Sequence, residues 1–218
     1  MKAYFHVEAP NLKEIEDALG PKAKDKAKVV LKAAINNAAK QIDKQMINET
    51  KKKYRYHRGQ SGGVANTVED LKRANTVQKA KVKDMTAVVE VKGAVNELLG
   101  FRVNPMIYVP GGGYPEWYKA SARRGESMKK VALRPGAAGD KYKGFIVKYK
   151  SGHYALAQRV PGKKMRSNPH KEAIKSLLSI SEPKAEEIVY RDEIQKDIHD
   201  ILQRNIQEQI RRFTGDGS

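Results

Sequence analysis

Apolar and polar residues alternate in several stretches of the chain, and these stretches predict β-strands. Met1–Glu8 has Ala3, Phe5 and Val7 at every second position, and the valine-rich run Thr86–Lys92 has the same period. In Gly144–Val160, two alternating runs flank Ser151-Gly152, which predicts a β-hairpin with its turn at these two residues. Weaker strand patterns occur at Leu98–Val103, Lys129–Leu133 and Ile174–Ile180.

Apolar residues recur every three or four positions in other stretches, which predicts helices. The longest stretch runs from Lys22 to about Tyr54 and would form a helix roughly 45–50 Å long. Its apolar stripe consists of Ala27, Leu31, Ile35, Ala38, Ile42 and Met46. Thr67, with Asp70 three residues later, is typical of the start of a short helix within Val64–Ala80. A short helix is also predicted around Leu12–Leu19.

The last predicted helix begins at Ser181–Pro183, where a Ser cap precedes a proline in the first turn, and it extends over about 30 residues. Strands in the middle of the chain and long helices near both ends predict an α+β fold. We expect a mostly antiparallel sheet of four to six strands, covered by the long N-terminal and C-terminal helices. The chain, residues 1–218, is predicted to form a single domain.

A glycine-rich tract over residues 110–130 predicts a long loop or arm. Gly111–Gly113 does not form a phosphate-binding loop, because no Gly-Lys-Ser/Thr follows it. An arm with aromatic anchors is typical of a contact with a neighbouring subunit. Tyr114, Trp117 and Tyr118 are the predicted anchors.

The charge of the chain is strongly basic. With 43 Lys and Arg against 25 Asp and Glu, the net charge is +18, which favours a polyanion or an acidic protein as partner. Pro161–Lys171 is predicted to be a basic loop, although such a loop is equally expected where lysines are simply solvated. Aromatic residues make up only 7% of the chain, so contact with nucleic acid is expected through the backbone rather than the bases.

No pattern for catalysis or for cofactor binding emerges. The chain has no cysteine, and its five histidines show no metal-binding spacing. Adjacent acidic residues lie on predicted helices, where sequence neighbours point apart. We therefore expect no enzymatic activity, no metal and no cofactor. No membrane span or signal peptide is predicted, and the lack of cysteine is compatible with assembly in a reducing cytoplasm.

The C-terminal half of the chain resembles the phage minor tail protein Z family. In that family a hairpin of the type found in Gly144–Val160 precedes a Ser-Ile-Pro turn and a terminal helix, and the segment Lys32–Ile42 is similar to its Ala/Asn-rich helix. The matching residues are Gly144, Phe145, Ile146, Ser151, Gly152, His153, Gln158, Arg159, Ser179, Ile180, Ser181 and Pro183. Two differences are that Glu182 separates Ser181 from Pro183 and that the glycine-rich arm is longer.

The resemblance implies a structural protein of the virion neck or tail, assembled in the host cytoplasm. The chain would be a tail-completion or tail-terminator subunit in a homo-oligomeric ring, with a hexamer expected. Its partners would be other copies of itself, the tail tube protein and the head–tail connector or neck proteins. Phe145 and His153 would join the three aromatic anchors at subunit interfaces. Lys163, Lys164 and Arg166 would face an acidic partner or the backbone of genomic DNA.

A different class of protein fits the charge as well. A monomeric, basic protein that binds nucleic acid without sequence specificity needs the same excess of Lys and Arg. It would differ from a ring subunit in binding duplex DNA tightly as a monomer, with a steep dependence on salt. No helix-turn-helix pattern accompanies the charge.

Overall fold

The computed structural model describes residues 1–8, 13, 16–17, 26–56, 67–106, 108, 115–131 and 143–214. The chain is α+β, and its described strands form three antiparallel sheets. It divides into two compact units. The first unit contains Met1–Thr50, Lys72–Gly93 and Glu182–Ser218, and the second contains Lys51–Leu71 and Ala94–Ser181. The predicted helix around Leu12–Leu19 lies largely outside the described residues.

The first unit contains one sheet in the order β1-β3-β2. It is formed by β1 (Lys2–Glu8), β2 (Asn75–Gln78) and β3 (Thr86–Lys92). The pairs Phe5↔Val89 and Val7↔Ala87 place apolar side chains on one face, and all four are buried. The strands predicted at Met1–Glu8 and Thr86–Lys92 are therefore confirmed.

Helices complete the first unit. Helix α1 (Ala27–Lys53) buries all six residues of the predicted apolar stripe. Polar contacts of α1 within the unit include Asn36 Oδ1, which accepts a hydrogen bond of 2.8 Å from the backbone N–H of Ala80. Asn205 Nδ2, on the C-terminal helix, donates to Gln41 Oε1 at 3.2 Å.

The short helix α2 (Val68–Ala74) begins with the capping pair that the sequence predicts. Thr67 Oγ1 accepts a hydrogen bond from the Asp70 N–H at 3.1 Å, and the Asp70 carboxylate accepts one from the Thr67 N–H at 3.0 Å. Two N–H groups at the helix start are thus satisfied reciprocally. The predicted cap is confirmed.

The C-terminal helical segment starts at the predicted residue but changes its winding partway along. It consists of α3 (Glu182–Val189), a π-helical turn (Tyr190–Ile194), a 3₁₀ turn (Gln195–Asp197) and α4 (Ile198–Thr214). Val189 and Ile194 are five residues apart and both buried, and the π turn between them brings the two positions closer to one face than a regular α-helix would. The Tyr190 ring packs against Phe5, with 4.5 Å between ring centroids.

The second unit contains two sheets of three strands. One has the order β4-β5-β6, formed by β4 (Arg102–Asn104), β5 (Lys119–Ser121) and β6 (Lys129–Lys130). The other has the order β7-β8-β9, formed by β7 (Phe145–Lys148), β8 (Tyr154–Met165) and β9 (Asn168–Ser176). Their shared core consists of Leu99, Val103, Tyr118, Ala120, Val131, Ile146, Leu156 and Leu177.

The arrangement of the strands differs from the expected single sheet of four to six strands. The described strands instead form three separate sheets of three strands each. The tract 110–130 also differs from the expected long loop, because β5 and β6 occupy part of it. Gly111–Tyr114 lie outside the described residues. Pro161–Lys171, expected to be a basic loop, is not a loop, because the strands β8 and β9 extend through it with a turn between them.

Candidate functional site

The part of the structure most suited to contact a partner is the end of the β8–β9 hairpin, residues 160–171, which we call the basic hairpin. At the base of β8, residues Ala155 to Gln158 are buried between β7 and β9. Past Arg159, the side chains of β8 become partly or fully exposed. The sequence folds this way because an apolar run becomes one rich in lysine, and only the apolar part can join the core.

Two irregularities shape the basic hairpin. Arg159 pairs with Ile174 and Lys164 pairs with Glu172, so four residues of β8 lie opposite one residue of β9. Pro161, which has no N–H, and Gly162, with φ of +79°, fall in this bulge. The next pair, Met165↔Asn168, leaves three extra residues on β9. The two bulges hold Lys163 on β8 and His170 and Lys171 on β9, while Lys164 is paired and Arg166 lies in the turn.

The charge of the basic hairpin is not neutralised. Lys163, Lys164, Arg166, His170 and Lys171 are exposed, and Glu172 is the nearby acid. Within the described part of the chain, none of these side chains forms an ion pair with a carboxylate. A two-stranded ribbon without an apolar face contributes little to the stability of the fold. Its charged side chains can therefore contact a partner of opposite charge.

The structure places Trp117 at the surface and Tyr118 in the core. Trp117 is half-buried, and the ammonium groups of Lys130 and Lys143 lie 5.0 and 5.2 Å from its ring centroid. Tyr118 is 1% exposed, so it was wrongly predicted as an anchor for a neighbouring subunit: its ring fills the core of the second unit. Tyr114 lies outside the described residues.

The other two predicted interface residues lie on the β7–β8 hairpin. Phe145 is half-buried, with the Arg159 guanidinium 5.5 Å from its ring centroid. His153 is exposed, and its Nε2 lies 2.8 Å from Glu97 Oε2. The ring of Tyr149 stacks on His153, with 6.1 Å between centroids. The pattern of alternating residues identified the hairpin and its turn, which are confirmed, but gave no sign of the partners Glu97 and Tyr149.

Among the described residues, the titratable group whose pKa departs furthest from its ordinary value lies elsewhere, in the first unit. Burial raises the pKa of Glu186 to about 8, against the hydrogen bond from Asn75 that lowers it, and the charges of Asp43 and Glu182 raise it further. Asn75 Nδ2 donates to Asp43 Oδ1 and to Glu186 Oε2, both at 2.8 Å. Burial likewise raises the pKa of Asp43. The group is enclosed, so we assign it to folding rather than to chemistry on a substrate.

A groove of about 440 Å³ in the second unit offers little for catalysis. It is lined by residues of β5, β6 and the end of β9, including Ser121, Lys129, Lys130 and Lys175. Among the described residues that line it, Glu126 is the one carboxylate and histidine is absent. The described residues also contain no cluster of three or more His, Asp and Glu suited to a metal ion.

No family model, no curated protein and no solved structure matches this chain. In addition, none of the helices within the described ranges combines the length and the apolar character that crossing a bilayer requires.

Proposed function

We propose that this chain is a structural subunit of a phage virion, or of a phage-tail-like particle, that acts at the neck of the tail. It is a tail-completion or tail-terminator protein, and copies of it form a ring, expected to be a hexamer, between the tail tube and the head–tail connector. The whole chain serves as one structural domain in this role, with the long helices near both chain ends covering strands. No bond is made or broken.

The observation that carries the proposal is the basic hairpin. An exposed ribbon with four Lys and Arg side chains, none of which has a carboxylate partner among the described residues, suits contact with another molecule better than catalysis. A ring at the neck encloses DNA and touches other proteins, so it presents both kinds of acidic partner. The resemblance of Gly144–Val160 and of the Ser179–Pro183 turn to the minor tail protein Z family supports the same role.

Sedimentation velocity and negative-stain electron microscopy of the purified chain test the proposal. We expect a concentration-dependent ring, whose formation strengthens when purified tails are added. Immunogold labelling of virions should then place the chain between head and tail. A chain that stays monomeric at all concentrations and beside tails contradicts the proposal.

Trp117→Ala tests the subunit contact itself. The half-buried ring of Trp117 is the anchor that we expect to contact a neighbouring subunit, so the alanine variant should self-associate at least about tenfold more weakly than the native chain. Tyr4→Ala is a matched control, because Tyr4 is an exposed aromatic residue on β1 of the first unit. Equal self-association of the two variants would show that Trp117 does not contribute to the subunit interface.

The basic hairpin also favours the second candidate, a monomeric protein that binds nucleic acid without sequence specificity. That candidate predicts tight binding of duplex DNA by a monomer and no labelling of virions at the neck. The same sedimentation experiment, repeated with DNA, therefore separates the two functions.

A further inference from the structure

Three arginines from separate segments of the second unit converge where helix α1 ends. The chain leaving α1 pairs with the segment after β5: Tyr54 forms a bridge with Arg123, and the Arg55 N–H donates to the Ala122 carbonyl at 2.9 Å. The Arg124 N–H in turn donates to the Lys53 carbonyl at 2.9 Å. These backbone bonds bring Arg55 and Arg124 to the same place.

The side chains of both arginines are held by backbone carbonyls. Arg124 Nε donates to the Lys51 carbonyl at 2.9 Å and to the Tyr54 carbonyl at 3.2 Å, which caps the carbonyl end of α1. Arg55 Nε donates to the Arg123 carbonyl at 3.1 Å. A guanidinium has five N–H donors, so each group is positioned by one N–H and keeps four for a ligand.

Arg102 contributes a third cation. It lies on β4 opposite Ser121 of β5, next to the segment that carries Arg123 and Arg124. Partial burial lowers the pKa of Arg55, and the positive charges of Arg102 and Arg124 nearby lower it further. None of the three forms an ion pair with a carboxylate in the described ranges. The neighbouring acid, Glu126, is paired with Arg123, with 3.4 Å between its Oε1 and Arg123 Nη1.

We propose that Arg55, Arg102 and Arg124 form a binding site for the phosphate groups of a nucleic-acid backbone. The guanidinium groups of Arg55 and Arg124, held by backbone carbonyls with their outer N–H donors unused, match the bidentate geometry of phosphate oxygens, and Arg102 adds a third positive charge. A bound phosphate also relieves the repulsion among the three cations. A nucleic acid is favoured as the source of phosphate because the same unit carries the basic hairpin and the whole chain has a net charge of +18.

The proposal goes beyond the proposed function, because this site is distinct from the basic hairpin and does not require a ring. Fluorescence anisotropy with a labelled 20-base-pair duplex tests it, over a range of salt concentrations. The variant Arg102→Gln should lower the slope of log K against log salt by about 0.9 and weaken binding roughly fivefold to tenfold at about 0.1 M salt. The triple variant, which combines Arg55→Gln, Arg102→Gln and Arg124→Gln, should lower the same slope by about 2.7.

Arg211→Gln is the matched control, since it removes one charge from an exposed arginine in the last turn of α4. It should bind DNA nearly as well as the native chain. If the triple variant loses its fold because the cap of α1 is gone, Arg102→Gln carries the test alone, since its side chain has no hydrogen bond within the described part of the chain. Equal binding by Arg102→Gln and Arg211→Gln would overturn the proposal.

Competition experiments identify the ligand chemistry. Unlabelled duplex should displace the probe, whereas polyglutamate at equal charge concentration should displace it much less. Equal displacement by polyglutamate would overturn a phosphate site in favour of an acidic protein. Inorganic phosphate or pyrophosphate that binds in an arginine-dependent manner, without any binding of duplex, would overturn the assignment to nucleic acid.

Discussion

At the scale of single residues, the polar group around Asn75 makes the stability of the first unit depend on pH. Glu186 is fully buried, and its Oε1 has no hydrogen-bond partner in the part of the chain that the structure describes. A buried carboxyl group is more stable when protonated, because transfer of the charge out of water is unfavourable. No local pattern predicts this arrangement, since Asp43, Asn75 and Glu186 are distant along the chain.

The sign of the pH effect follows from the direction of the pKa shift. The pKa of Glu186 is about 8 in the folded chain against an ordinary 4.5. Between these values the folded state keeps a proton that the unfolded state releases, so the contribution of Glu186 to stability is largest below pH 4.5 and is lost as the pH rises to about 8. The raised pKa of Asp43 acts in the same direction.

Glu186→Gln removes this dependence, because glutamine does not titrate while its carbonyl oxygen still accepts the hydrogen bond from Asn75. We expect the variant to be more stable than the native chain at pH 8, by on the order of 2–4 kcal/mol, and to lose this advantage near pH 4.5. Urea denaturation at a series of pH values measures it. Glu187→Gln is the control, since Glu187 is exposed and paired with Lys184. Parallel pH profiles for the native chain and Glu186→Gln would contradict the assignment.

At the scale of elements, local patterns predicted those structures whose stabilising contacts lie close in sequence. The cap of α2 and the turn of the β7–β8 hairpin, at Ser151-Gly152, are of this kind. Gly152 has φ of +85°, which glycine adopts without strain, so its presence in a turn is informative. The spacing of five between Val189 and Ile194 gave no such signal for the change of winding after α3, because regular helix α1 buries Ile42 and Ile47 at the same spacing.

Elements that depend on distant contacts were missed. Pro161 and Gly162 suggested a loop, yet β8 continues through them because a bulge tolerates a missing N–H and a positive φ. Tyr118 suggested an exposed arm, yet it belongs to the core, because it directly precedes β5 and its ring joins the cluster that contains Ala120 and Val131. The arginines at the end of α1 lie in three segments, and no local pattern connects them.

The cap of α2 provides a test at this scale. Thr67→Ala removes the hydroxyl that accepts the Asp70 N–H, and we expect a loss of about 1 kcal/mol of stability. Thr67→Ser keeps the hydroxyl while losing the same methyl group, so the difference between the two variants isolates the cap. Urea denaturation measures both. Equal stability of the two variants would show that the cap contributes nothing.

At the scale of the whole molecule, a charge of +18 and few aromatic residues argue for recognition of charge rather than of bases. Phosphates are the same at every position of a duplex, so lysines in the hairpin bulges and arginines held by backbone carbonyls carry no information about sequence. Base stacking, which single-stranded nucleic acids offer, needs aromatic platforms that the sequence does not predict.

The native chain should therefore bind two duplexes of equal length and unrelated sequence with affinities within about twofold. For a single strand of that length, the slope of log K against log salt should be shallower, near 0.7 rather than 0.9 per phosphate contact. Neutralising Lys163, Lys164 and Arg166 together should lower the slope of log K against log salt for duplex binding by up to about 2.7. The thermal midpoint should stay constant, because these exposed side chains have no ion pair among the described residues to lose. Anisotropy titrations and thermal melts measure both effects. A strong preference for one duplex sequence would contradict recognition by charge, since only contacts with base edges or with the shape of one sequence could produce it.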